Sequence, residues 1–262
     1  MLVANFLKSL GQQLPLFFIV QARIAALFTS LFFLRKEYVP GRLLVGISFV
    51  LSVFIMNTSS LSHFVAITNI DPTLVHLLPT LLLQAGLGMI TGLMINFFAE
   101  IFLGLGQLAS MQAGLGFVNF YIPKVGSVTP LTNFYVIMAT IIFFELNGHL
   151  ILIKMIVDSM QVMPNPAHAF NIELMKQTLL FAKIIFSGSL MLALSMTIAI
   201  LLSNFTLAFM TKFSPQLNVF SIGINISLLI CYFAAYVSFD LIIEHGSSLL
   251  QEIFSAAKAM QS

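Results

Sequence analysis

Arg23, Glu100, Glu145, Lys154, Asp158, Lys183, Asp240 and His149 stand inside or at the margins of long runs of Leu, Ile, Phe and Met. A charge at the centre of a bilayer costs roughly 2.5–3.5 kcal/mol even on insertion scales, so such groups face one another, a water-filled lumen or a neighbouring subunit. Two chemistries are open to them. They could form a proton or ion relay, as in a transporter, or pair between helices and set their register. Their spread over many segments favours register, because a midplane substrate site needs convergence on a pair of broken helices. His149, within FFELNGHLILI, could carry a proton, yet without a second ligand at a recognisable spacing it reads as a hydrogen-bonded structural residue. His63, His76, His168 and His245 make no cluster, and the lone Cys231 reads as a small buried hydrophobe. No HExxH, GxSxG, CxxC or phosphate-cradling glycine loop with a following Lys occurs, so the sequence argues for no enzyme and no cofactor.

A second group of residues suggests a mechanical role. Between apolar runs the chain reads GQLASMQAGLGFVNFYIPKVGS over residues 106–127. Gly114, Gly116 and Gly126 supply hinge freedom, while Pro123 and Asn119 break any continuous helix. Phe117, Phe120 and Tyr121 give the segment an apolar aromatic body, and Met111 adds a side chain that adapts to different shapes. Extramembrane loops are polar and membrane helices lack this punctuation. Irregular backbone of this kind is tolerated where it is buried in protein or lines a cavity. A loop packed passively between helices is the alternative.

The elements that carry these residues follow from composition. Of 262 residues, 59% are apolar and only 8% are charged. The mean hydropathy is +1.04. A soluble domain carries roughly 25% charged residues, so this chain meets lipid or apolar protein over most of its area. The net charge of +2 is scattered singly and offers no tract for nucleic acid. Apolar stretches at about 14–34, 43–56, 77–103, 131–157, 178–210 and 217–240 predict an all-α protein with about six long apolar helical segments. Asp71-Pro72, Thr129-Pro130 and Ser214-Pro215 each place a capping side chain before a proline suited to the first helical position. Leu43–Met56 would make a helix of roughly 21 Å, short of the ~30 Å hydrocarbon layer, and the stretch after it is interrupted at Asp71 and Pro79. Gly88 and Gly92 form a GxxxG step that lets helix backbones approach closely, within this chain or against a partner. From Glu244 to Ser262, Leu249, Leu250, Ile253, Phe254 and Ala257 recur at helical spacing and predict an amphipathic tail for a membrane surface or another protein.

Three stretches taken together resemble the FliR/SpaR/SctT family of type III export-gate proteins. They are QARIAALFTSLFFLRKEYVPGRLLVGISFVLS, the segment from residue 106 continued through NGHLILI to DSMQVMP, and SNFTLAFMTKFSPQLNVFSIGI with its PQLNVF run. The likeness covers nearly the whole chain in order, and the NGH run leans toward the flagellar branch over the virulence branch. It implies a subunit of the bacterial inner membrane at the flagellar basal body, a single copy joined with FliP and FliQ in a conical hetero-oligomer. FlhB would lie near the cytoplasmic side, and unfolded exported proteins would pass through the lumen. It also implies a FliP-like portion over 1–175, a FliQ-like helical hairpin over 176–243 turning at Pro215, Gln216 and Asn218, and the tail 244–262. Segment 106–127 matches the loop that projects into the lumen and helps plug it. Gln107 and Ile122 stand where family members often carry Glu and Asp, which puts acidic chemistry at the loop in doubt. The rival from another class is a stand-alone transporter or ion channel with Arg23, Glu100, Glu145 and Lys154 as its pathway.

Overall fold

A computed structural model describes residues 2–34, 39–57, 74–115, 120–122, 126–162, 172–213 and 219–259. The elements are α1 (Leu2–Ser30), a 3-10 turn (Phe32–Leu34), α2 (Gly41–Met56), α3 (Leu74–Gln112), β1 (Phe120–Ile122), β2 (Gly126–Val128), α4 (Pro130–Glu145), α5 (Gly148–Val162), α6 (Ile172–Phe181), α7 (Lys183–Phe213), α8 (Val219–Val237) and α9 (Phe239–Ala259). The all-α expectation is met apart from the short β1–β2 pair. Among the described residues, Leu77–Gln112 and Ile172–Met210 are long and apolar enough to cross a membrane, and up to four spans result if each bent helix pair counts as one. Pro79 does not interrupt the chain but lies inside α3. Its place in the second turn limits how much of the helix ladder its missing N–H disturbs.

Of the three proline caps, Thr129 is described: its side chain accepts a hydrogen bond from the Thr132 amide, with Pro130 at the start of α4. The Asp71-Pro72 and Ser214-Pro215 steps lie outside the described residues, as do Pro215, Gln216 and Asn218. The stretch 131–157 breaks into α4 and α5 at Asn147, whose φ of 55° is left-handed. Asn is among the few residues that tolerate that region. The Asn147 carbonyl then accepts from the Leu150 and Ile151 amides and opens α5.

The chain forms two compact units, each discontinuous in sequence: 1–96 with 147–181 and 253–262, and 97–146 with 182–252. Helices α3 and α9 each contribute residues to both units.

In the first unit α1 buries Leu16, Ile19, Val20, Arg23, Ile24 and Leu27, a stripe at three- and four-residue spacing. Helix α2 packs on α1 with its polar face inward. Gln21 Nε2 donates to Ser48 Oγ at 2.8 Å and Gln21 Oε1 accepts from Ser52 Oγ at 2.7 Å. The opposite face of α2 exposes Leu43, Val45, Phe49, Val50 and Phe54. Its 16 residues reach about 24 Å at the helical rise. Gly88 and Gly92 face α1 so closely that a Cβ would strike the Arg23 carbonyl at the first and Ser30 and Leu27 at the second.

In the second unit the C-terminal part of α3 plays the same part. A Cβ on Gly104 would strike Ser189 of α7, and one on Gly106 would strike Thr132 of α4. Ser189 Oγ donates to the Ile101 carbonyl at 3.0 Å. Phe98, Phe102, Leu105, Tyr135, Phe143, Leu192, Met196 and Ile242 fill the core. Helices α7 and α8 pack together. The hydroxyls of Ser195 and Ser238 meet at 2.9 Å where α8 gives way to α9. The tail expectation is corrected here: the helix starts at Phe239, and Leu249, Leu250, Ile253, Phe254 and Ala257 are buried by this chain itself. That apolar face is already occupied, so it is not offered to a membrane or another protein.

Replacing Gly88 by Ala forces α1 and α3 apart and should destabilise the protein by about 1–3 kcal/mol, the usual range for overpacking. Gly46→Ala, where a Cβ meets nothing within 4 Å, is the control and should keep or slightly raise the thermal midpoint in detergent, because Ala is the better helix former. Equal midpoints for the two variants would refute the close approach.

Candidate functional site

Segment 106–127 is rooted between the end of α3 and the start of α4. In the last turn of α3 the Ala113 amide donates to the Ala109 carbonyl at 3.0 Å. Gly114 then takes a left-handed φ of 80° and ends the helix, a conformation that favours glycine. Met111 beside it is 72% exposed. Further on, β1 and β2 run antiparallel with Phe120 opposite Val128, Tyr121 opposite Ser127 and Ile122 opposite Gly126. Gly126 therefore sits in a strand. Gly116, Phe117, Asn119 and Pro123 lie outside the described residues, as do the side chains of Phe120 and Tyr121.

A cluster of hydroxyls closes the root. Ser110 Oγ of α3 and Thr129 Oγ1 at the head of α4 are hydrogen-bonded at 2.6 Å, and Thr129 Oγ1 meets Thr132 Oγ1 at 2.8 Å. The Thr132 amide donates to Thr129 Oγ1 at 3.2 Å. All three residues are buried. A second tie holds the end of α3: Asn204 Nδ2 of α7 donates to the Gln112 carbonyl at 3.3 Å. Ser227 Oγ of α8 donates to Asn204 Oδ1 at 2.6 Å and fixes that amide's orientation. The carbonyls of a helix C-terminus have no partners of their own, so a side-chain donor there is stabilising. Sequence reasoning missed Ser110, Thr132, Asn204 and Ser227, since small polar residues in apolar helices carry no mark of distant partners. Only the Thr129 cap had a signature. The hairpin had one that went unread: FYI and GSV flank the three residues Pro123-Lys124-Val125, and aromatic and β-branched residues favour strands.

The charges expected inside the apolar stretches separate. Arg23 is buried, with Nη1 donating to Ser159 Oγ at 2.9 Å. Ser159 in turn bonds the Ile156 carbonyl at 2.8 Å. Glu100 and His149 are half-buried. Glu145 and Lys154 are exposed on this chain. They occupy the faces of α4 and α5 turned away from this chain's packing. Arg23, His149 and Lys154 belong to one unit and Glu100 and Glu145 to the other.

Residues 14–253 match the family described as bacterial export proteins, family 1. The chain belongs to this family. Its membership of bacterial export proteins, family 1, is accompanied by similarity to curated relatives along most of their length. It is 27% identical over 240 residues to the flagellar biosynthetic protein FliR of Buchnera aphidicola subsp. Schizaphis graminum, covering 91% of each chain. To the flagellar biosynthetic protein FliR of Escherichia coli (strain K12) it is 26% identical over 243 residues, 92% of this chain and 91% of that one. To the surface presentation of antigens protein SpaR of Shigella flexneri it is 25% identical over 154 residues, 56% of this chain and 59% of that one.

The register of the hairpin is open to direct measurement. In a Cys231→Ser background, Tyr121→Cys with Ser127→Cys places two thiols on one face of neighbouring strands and should give a disulfide on mild oxidation. Phe120→Cys with Ser127→Cys puts them on opposite faces and should not. Peptide mass mapping distinguishes the two, and the reverse result would displace the register by one residue.

Proposed function

We propose that this chain is a non-enzymatic structural and gating subunit of a flagellar type III protein-export channel. The observation that carries the proposal is the family match over residues 14–253, with relatives named FliR aligned along about nine-tenths of both chains. The flagellar branch is favoured over the virulence branch by coverage, since the SpaR relative aligns over 56% of this chain. The setting is the bacterial inner membrane at the basal body. There a single copy joins FliP and FliQ, FlhB lies near the cytoplasmic side, and lipid meets the outer surface.

In this reading the segment 106–127 is the lumenal plug. Met111, Gly114, Gly116, Phe117, Asn119, Phe120, Tyr121, Pro123 and Gly126 form its body, and unfolded proteins pass when it yields. Three observations support the reading. The segment is tied at its root by the Ser110–Thr129–Thr132 cluster. Met111 is exposed beside the helix stop. Packed α7 and α8 fit the FliQ-like hairpin. Much of the chain's outer surface is apolar, including Phe205, Phe209 and Phe213, which stack at four-residue spacing with ring centroids 6.1 and 5.6 Å apart. Such a surface suits neighbouring subunits and lipid. Exposed Glu145 and Lys154 fit contacts with those neighbours better than a pathway within this chain.

Native mass spectrometry of the chain co-expressed with FliP and FliQ should give a discrete mixed complex holding one copy of it. A monomer or homo-oligomer that ignores them would overturn the assignment. Deleting residues 114–126 should leave that complex assembled and the membrane leaky to ions, with export reduced or altered. An intact complex in a tight membrane would remove the plug role.

A further inference from the structure

The loop has a neck, and the neck is closed by hydroxyls. Ser110 and Thr129 are 19 positions apart in the chain, yet their side-chain oxygens lie 2.6 Å apart. Ser110 is 1% exposed, Thr129 8% and Thr132 0%. In surroundings this apolar, a buried hydroxyl without a partner is costly, so each member of the cluster stabilises the position of the others. The backbones are drawn together as well, because Gly106, one turn before Ser110, leaves no room for a Cβ against Thr132. Thr129 is at once the cap of α4 and the partner of Ser110 on α3, so parting the two helices would leave the cap in place but break the buried hydroxyl pair between them. Beyond the cluster the backbone changes direction at Gly114, with φ 80°.

We propose that Ser110, Thr129 and Thr132 form a clasp that keeps α3 and α4 joined at the neck throughout protein export. The helices at the root of segment 106–127 do not separate while substrate passes. Ser110 is the positioning residue of the clasp, because removing its hydroxyl leaves the Thr129 cap on the Thr132 amide in place. The inference rests on the export-channel reading for the meaning of its export measurement; the geometry of the neck stands apart from it.

The test uses the assembled complex in cells, in a Cys231→Ser background that leaves no other cysteine in the chain. Ser110→Cys with Thr129→Cys puts two sulfurs where the two oxygens now touch, within reach of a disulfide. Oxidation with copper phenanthroline should cross-link the neck in resting and in exporting cells, and export should continue unchanged in the cross-linked state. Export that stops on oxidation and returns on reduction would show that the neck has to part and would overturn the proposal. So would the absence of a cross-link in the resting complex. Because the clasp is closed both at rest and during export, Ser110→Ala should leave the resting ion leak unchanged and lower the thermal midpoint of the assembled complex, which loses one buried hydrogen bond. If the cysteine pair fails to assemble even when reduced, Thr129→Ser against Ser110→Ala decides. A lower midpoint in the second alone, with the membrane tight, supports the clasp, and equal midpoints or a leak in the second overturn it. If the cross-linked complex exports while deletion of 114–126 leaves the membrane tight, the plug reading fails and the clasp remains.

Discussion

Backbone contact at the glycines of α3 is the constraint on which the packing of both units depends. Lipid is as apolar as leucine, so burying apolar side chains gives helices little reason to associate within it. What remains is close van der Waals contact, and that requires small residues where helices cross. Gly88 and Gly92 bring α3 against α1 in one unit, and Gly104 and Gly106 bring it against α7 and α4 in the other. Once backbones are this near, short hydroxyl side chains can reach across. Ser189 to the Ile101 carbonyl and Ser110 to Thr129 are both consequences of that proximity.

The distribution of polarity follows from the same constraint. Helix α2 turns Ser48 and Ser52 inward to Gln21 and presents Phe49, Val50 and Phe54 outward. Arg23 likewise spends its charge on an internal contact with Ser159. A water-soluble protein does the reverse. Here the interior is held by a few hydrogen-bonded polar groups among packed apolar ones, and the exterior is left for apolar neighbours. For a subunit of an export apparatus this is a useful division, because specificity of the fold is set inside while the outside remains free to be covered by apolar neighbours.

The region proposed to act in gating departs from the helical pattern where the chain's punctuation requires it. Gly114 stops α3, a short hairpin follows, and Thr129-Pro130 restarts the helical chain. A hydroxyl cluster joins the helices on its two sides. Asn204 and Ser227, borne on α7 and α8, add a tie to the end of α3. The root of the loop is thus built from residues of four helices.

The sequence by itself determined the class of protein, the helices and the loop. Those features are local: a low charge content, apolar runs of helical length, a Thr-Pro cap and a glycine- and aromatic-rich interruption are each readable within a few tens of residues. The three quoted stretches also carried the family. Tertiary structure decided what depends on meeting a distant partner. It paired Ser110 with Thr129 and Arg23 with Ser159, residues 19 and 136 positions apart. It divided the chain into two interleaved units and turned the C-terminal amphipathic face inward onto this chain. It also left Glu145 and Lys154 exposed, although both stand in apolar runs. An apolar run says that a helix forms and not which of its faces is covered, because that depends on the crossing angles and contacts of helices far away in sequence.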